Sequence, residues 1–184
     1  MKRLNIGAGS KRRDGFLSVD VRGVPEVDIV STAWDLEEVE ASSIAEIYTP
    51  HMLEHLDPND GRKSIRRWFE ILAPGGRINI VVPDLEFHAR QLLGAAKSHF
   101  DDQMAHAYAG FFGWRDEGRG GNREDAHRWG YTEHTLAALL SEYGFTSVAR
   151  QLSGPDSEPW HLNMVALKPG QMPELTPEVA HPLV

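Results

Sequence analysis

Residues 77–82 read RINIVV, β-branched at Ile78, Ile80, Val81 and Val82 with no sustained alternation of polar and apolar side chains. A run of this kind suits a strand buried on both faces, as happens when helices cover a parallel sheet. It is preceded by the breaker Ala73-Pro74-Gly75-Gly76. Before that, residues 59–72 place Ile65, Trp68, Phe69 and Leu72 at spacings of three and four, the pattern of an amphipathic helix.

The remaining segments extend the same rhythm. Strands are predicted over residues 3–7, 16–21, 27–31 and 44–49, and again over 147–152 and 162–167. Helices are predicted from Asp84, a candidate N-cap after Pro83, to about residue 97, over 100–114, and from Thr132 to residue 143 with Gly144 just beyond. Residues 115–128 (RDEGRGGNREDAHR) read as a polar, mobile loop. From residue 169 the chain carries prolines at 169, 173, 177 and 182 and no periodicity, so residues 1–168 are expected to form one domain and 169–184 a flexible arm. Strands alternating with crossovers imply an α/β, doubly wound, mainly parallel sheet with helices on both faces. Ligands of such sheets sit beyond the carboxyl ends of the strands, where strand order reverses.

Composition removes several chemistries. The chain has no cysteine, so disulfide scaffolds, thiolate metal sites and cysteine nucleophiles are excluded. A net charge of −8 argues against nucleic acid or an anionic membrane as an electrostatically captured partner. The basic clusters Lys11-Arg12-Arg13 and Arg62, Lys63, Arg66, Arg67 read as solvated surface. With no signal-like start and no long apolar run, a cytoplasmic protein is the expectation. Oligomeric state is not written in the sequence.

The first strand runs into Gly7-Ala8-Gly9-Ser10, and the second ends on Asp20. Glycines at a strand tip let the backbone turn sharply and approach a ligand. A carboxylate at the adjoining tip can accept hydrogen bonds from vicinal ribose hydroxyls. Each feature alone is common in turns; together at consecutive strand ends they are less so. Two departures from a nicotinamide-binding fingerprint matter. The third glycine is missing, and the segment between Gly9 and Asp20 is too short for a crossover helix plus a strand. A pyrophosphate would want a helix N-terminus there, so a ligand with ribose but no phosphate fits better.

The order LNIGAG, SVD, AWDLEE, IYTPHMLEHL, LAPGGRINIVVPDLE resembles small stand-alone class I S-adenosylmethionine-dependent methyltransferases of the type 11-like group. HRWGYTEHTLAALLSEYGF, at 127–145, is similar to the family's C-terminal substrate-side helix. The resemblance spans residues 3–168. It implies a Rossmann-like, seven-stranded sheet with its last strand antiparallel, S-adenosylmethionine as cofactor, and a small-molecule or glycan precursor methylated on oxygen.

Carried over position by position, Gly7 and Gly9 resemble the glycines under the methionine part of the cofactor, and Asp20 the ribose-binding acid. Asp35 with Leu36 resembles the contact to the adenine amino group. His51 falls where the fourth strand passes the sulfonium. Asn5 stands where the family usually has an acid, keeping an acceptor oxygen but no charge.

HMLEH, residues 51–55, admits other chemistry. H-x-x-E-H is the inverted zinc-protease pattern, but that pattern needs a long helix, and Pro58 follows His55 too closely. The stretch also resembles a divalent-metal motif of some O-methyltransferases, with His51 in place of its first glutamate. His51, Glu54 and His55, with distant His127, then make a nitrogen and oxygen set suited to a divalent transition metal. The simpler expectation is a pocket wall without metal. For a hydroxyl acceptor a general base helps, and His51 is the first candidate by position, followed by His55 and His127. Asp84 at the fifth strand's end also faces the expected cleft, with helix capping as its competing role. Phe111, Phe112, Trp114, Trp129 and Tyr131 are expected to cover the sheet edge or to form a lid over the acceptor. The alternatives carried forward are a non-catalytic binding or assembly module and a metal-dependent hydrolase.

Overall fold

A computed structural model describes residues 1–115, 121 and 125–170. The expected arm beyond residue 170 and most of the expected loop at 116–124 lie outside the described residues. Seven strands form one sheet: β1 (Lys2–Ile6), β2 (Leu17–Asp20), β3 (Ile29–Val30), β4 (Ile44–Pro50), β5 (Leu72–Pro83), β6 (Thr146–Arg150) and β7 (His161–Leu167). Their spatial order is β3-β2-β1-β4-β5-β7-β6. Only β7 is reversed, antiparallel to both β5 and β6. The fold class expected from the sequence is therefore the one observed.

Strand order reverses between β1 and β4, which pair in parallel through Leu4–Ile47 and Asn5–Tyr48. Their carboxyl tips define the crevice where a ligand is expected. No helix follows the glycine turn: residues 7–16 pass from β1 to β2 as turn and coil, as the short spacing predicted.

Helix α1 (Pro58–Ile71) starts with proline at its first turn, where the missing N–H costs nothing. It buries Ile65, Trp68 and Ile71 against the sheet. Trp68 is fully buried, and its indole N–H donates to Ala33 O at 2.9 Å, tying the helix to the loop after β3. Helix α4 (Glu133–Glu142) opens with a Thr132–Thr135 capping box and buries Leu136 and Leu140 in the same core. Between them in sequence, α2 (Leu85–Leu92) and α3 (Gln103–Phe112) pack on each other, and His88 fills the space beside Gly110, where a Cβ would lie 2.2 Å from the ring.

Boundaries moved where side-chain chemistry intervened. Helix α2 ends at Leu92 instead of near residue 97, because Gly94 takes φ +73° and Gln91 turns to bond Ser98 and Gln103. Helix α3 is shorter than 100–114: Asp102 caps its start by accepting from Ala105 N–H at 2.8 Å, and Gly113, at φ +82°, ends it. Strand β5 begins earlier than residue 77, since the PGG turn is itself drawn into the sheet.

Both basic clusters are engaged locally. Arg13 lies over the Tyr48 ring at 3.9 Å and Arg12 pairs with Asp28. Arg62 pairs with Glu142, Lys63 with Asp60, and Arg67 with Glu70, while Arg66 sits over Tyr143. Among the described residues no helix is long and apolar enough to cross a membrane.

Candidate active site

The glycine turn and the acid meet as the sequence required. Gly7 and Gly9 adopt φ +76° and +58°, the left-handed region that glycine tolerates. A Cβ on Gly7 would lie 2.3 Å from Met52 Cγ, so the turn is also a close approach. Asp20, buried at the tip of β2, accepts the Gly9 N–H at 2.8 Å and the Arg22 N–H at 3.0 Å, and the Arg22 guanidinium lies on the same carboxylate. Burial opposes ionisation of Asp20, but the hydrogen bonds from Arg22 and Gly9 outweigh it and hold its pKa below the usual carboxylate value. Asn5, also buried, donates to Lys11 O, while its Oδ1 has no hydrogen-bond partner among the described residues.

Gly7 and Asp20 line a cavity of about 290 Å³ together with Val21, Ser31, Trp34, Met52 and His55, among others, while Asn5 and Gly9 are not part of its lining. Asp35 and Leu36 are not part of this lining. Leu36 takes φ +51°, which turns its side chain into the core, where it is fully buried, and Asp35 is exposed on the loop. Ser31, Ala33 and Trp34 of the same loop line the cavity instead. Nothing in the sequence marks these three as lining residues, because the face each presents depends on a backbone turn at a non-glycine residue.

A second cavity, about 560 Å³, adjoins the first across His55, which lines both. Six of the nine histidines line it: His51, His55, His88, His106, His127 and His161. Phe100, Trp114 and Trp160 supply its aromatic wall. Of the expected lid aromatics, Trp114 lines this cavity, Tyr131 is buried in the core, and Phe112 and Trp129 are about half exposed. Burial pushes His106 down to about 4, with His88, His161 and His99 reinforcing the shift.

HMLEH forms a single 3-10 turn at Leu53–His55 directly after β4, not a helix. His51 sits at φ +49°, a left-handed conformation uncommon outside glycine, and its amide donates to Val81 O. Its Nδ1 lies 3.3 Å from Glu54 Oε1. A carboxylate only accepts, so Nδ1 carries the proton and Nε2 remains as the lone-pair nitrogen. Burial alone would lower the His51 pKa, yet the hydrogen bond and charge of Glu54 outweigh it and raise it. Glu54 is 1% exposed and stays ionised: burial opposes this, and the His51 hydrogen bond with the nearby rings of His55 and His127 overcomes it. His51 and His55 do not share one partner; His55 packs edge-on against His127 with ring centroids 5.0 Å apart.

Asp84 is buried. One oxygen caps α2 by accepting from Glu86 and Phe87 N–H, and the other accepts from Arg150 at 2.7 Å. Both oxygens of the carboxylate are therefore held by the fold.

Residues 19–150 match a family model described as a methyltransferase domain. Among solved structures, a methyltransferase from Methanosarcina mazei, described as S-adenosylmethionine-dependent, aligns with TM-score 0.61 and 18% identity over 92% of this chain and 93% of its own. One from Archaeoglobus fulgidus aligns with TM-score 0.60 and 16% identity over 91% and 86%. The 1,6-didemethyltoxoflavin-N1-methyltransferase of Burkholderia thailandensis, with bound 1,6-didemethyltoxoflavin and S-adenosylhomocysteine, aligns with TM-score 0.59 and 20% identity over 91% and 70%. A search of curated proteins by sequence finds no match.

Proposed function

The chain belongs to the class I S-adenosylmethionine-dependent methyltransferase family, and from that premise we propose that it methylates an oxygen of a small molecule or glycan precursor. The observation that carries this reading is the join of two cavities at His55: one bordered by Gly7 and the Asp20 carboxylate, the other by histidine and aromatic side chains.

The first cavity suits the cofactor. The Gly7–Met52 approach leaves no room for a side chain and Asp20 is an ionised acceptor for ribose hydroxyls, while Asn5, outside the cavity's lining, carries a buried Oδ1 that has no hydrogen-bond partner among the described residues and suits an ammonium group. Gly7, Gly9, Asp20 and Asn5 are the proposed binding residues, with Ser31 and Trp34 beside the adenine end, where the family pattern pointed to Asp35 and Leu36. Arg22 would swing off Asp20 as ribose arrives, its bonds to the buried carboxylate replaced by those of the ribose hydroxyls.

When bound, the cofactor supplies an electrophilic methyl on a sulfonium. The chain's part is alignment and proton removal. The second cavity would hold the acceptor hydroxyl against the first, so that the hydroxyl receives the methyl the bound cofactor would supply and gives up its proton to the chain. His51 Nε2 takes the hydroxyl proton, and Glu54, hydrogen-bonded to Nδ1, orients the ring and stabilises the imidazolium. His55 is the neighbouring wall at the junction. Asp84 acts through position, holding α2 and Arg150 beneath the cavity.

Calorimetric titration with S-adenosylhomocysteine tests the cofactor side: a one-to-one complex is expected, and no heat at high micromolar ligand overturns the reading. Incubation with a panel of hydroxylated acceptors, followed by mass spectrometry, tests the oxygen preference; products methylated only on nitrogen or carbon would replace it.

A further inference from the structure

Glu54 holds an unusual position for a buried carboxylate. Its Oε1 accepts from His51, but its Oε2 has no hydrogen-bond partner among the described residues although the residue is 1% exposed. An unpaired, desolvated carboxylate oxygen is costly unless something positive completes it. The backbone explains what lies nearby. Arg128 and Trp129 N–H both donate to Glu54 O, at 2.9 and 3.1 Å, so the segment before Tyr131 is stitched across the 3-10 turn. This brings His127 against His55.

Both rings are held in one tautomer. His55 Nδ1 lies 3.2 Å from Ala126 O, and His127 Nδ1 lies 3.1 Å from Gly110 O. A carbonyl only accepts, so each Nδ1 carries the proton and each Nε2 carries the lone pair. Backbone carbonyls behind the ring are the usual device for aiming a metal-binding imidazole. One ligand atom from each of Glu54, His55 and His127 falls within 4.8 Å of the others. Ligands around a bound transition metal lie about 3–4 Å apart, so closure needs an inward shift of under about 1 Å per residue.

We propose that Glu54, His55 and His127 form a binding site for a divalent transition metal, open toward the second cavity. Two imidazoles and one carboxylate suit Zn²⁺, Co²⁺, Fe²⁺ or Mn²⁺, and three protein ligands leave positions for an oxygen donor from the cavity. Of the four side chains His51, Glu54, His55 and His127, three converge as ligands. His51, besides its proposed role as base, donates to Oε1 and so leaves Oε2 available to the ion. All three ligands line the acceptor cavity, so the acceptor class follows: a molecule whose hydroxyl or enolate oxygen, with a neighbouring oxygen, can ligate the ion. This acceptor assignment rests on the proposed methyl transfer; the ion site does not.

The test strips the full chain with chelator and titrates it with Co²⁺, followed by calorimetry and by the visible ligand-field bands of the ion. One ion per chain is expected. Glu54→Gln and His127→Gln each weaken binding by at least about tenfold. His106→Gln, which removes a cavity histidine outside the cluster, leaves it within about twofold. Substoichiometric uptake by the wild type, or equal affinity in His127→Gln, overturns the site. Should the variants misfold by circular dichroism, X-ray absorption on the Co²⁺-loaded wild type decides: two imidazole ligands support the site and fewer overturn it. Stoichiometric ion with no S-adenosylhomocysteine binding would sink methyl transfer and spare the site; the reverse result would do the opposite.

Discussion

The carboxylate of Asp20 stays charged although it is buried, because Gly9 and Arg22 point N–H groups at it. Asp20→Asn keeps the shape but turns one of the two acceptor oxygens into a donor, facing the N–H of either Gly9 or Arg22. S-adenosylhomocysteine affinity is expected to fall at least about tenfold by calorimetry, since a lost charge-assisted hydrogen bond is worth about 1.5–3 kcal/mol. Gly7→Ala forces a Cβ toward Met52 at φ +76°, and thermal unfolding should show a loss of roughly 1–3 kcal/mol together with weakened cofactor binding. For His51→Asn, kcat is expected to drop about 100-fold or more while the KM for cofactor holds, if the ring is the base; an unchanged kcat removes it from that role. The glycine turn and the acid beside it were legible in the sequence because their requirement is local: a turn that only glycine enters easily and an acid at the neighbouring tip. Which residues of the loop after β3 line the cavity was not, because Leu36 takes a left-handed conformation with its side chain in the core, Asp35 is exposed, and Ser31, Ala33 and Trp34 form the lining.

For the elements, the three-and-four spacing in α1 named its buried face, and Ile65 and Trp68 are fully buried there. Trp68→Ala removes the largest buried side chain of the core and the bond to Ala33 O, so urea unfolding should register a loss of about 3–5 kcal/mol. The partner of Asp84 could not be read from the sequence. Arg150 lies on β6, and only the antiparallel return of β7 beside it brings its guanidinium to Asp84 and to His161 O at 3.0 Å. Helix ends moved for the same kind of reason: Gln91 meets Gln103 only after the chain has turned at Gly94.

Across the whole molecule, the second cavity gathers histidines from the turn after β4, α2, α3, β7 and the segment before Tyr131, and this sets a pH dependence. His106 has its pKa depressed in the fold to about 4, against 6.5 ordinarily, and His88, His99 and His161 face it. Above pH 6.5 both folded and unfolded chains hold it neutral. As pH falls from 6.5 toward 4 the unfolded chain takes up a proton that the folded one refuses, so stability declines across that window. Urea unfolding at pH 7.5 and 5 should show the decline, and His106→Gln should flatten it; an unchanged slope would assign it to other groups. What the sequence determined by itself was the rhythm of strands and helices, the missing first crossover helix and the glycine–acid pair, since each follows from the period of side chains along the backbone or from the few residues that fit a turn. Of the four side chains the sequence offered, the tertiary structure alone decided that Glu54, His55 and distant His127 converge while His51 stands behind Glu54. That convergence is made by two backbone N–H groups closing on one carbonyl, and backbone hydrogen bonds between distant segments leave no trace in residue type or spacing.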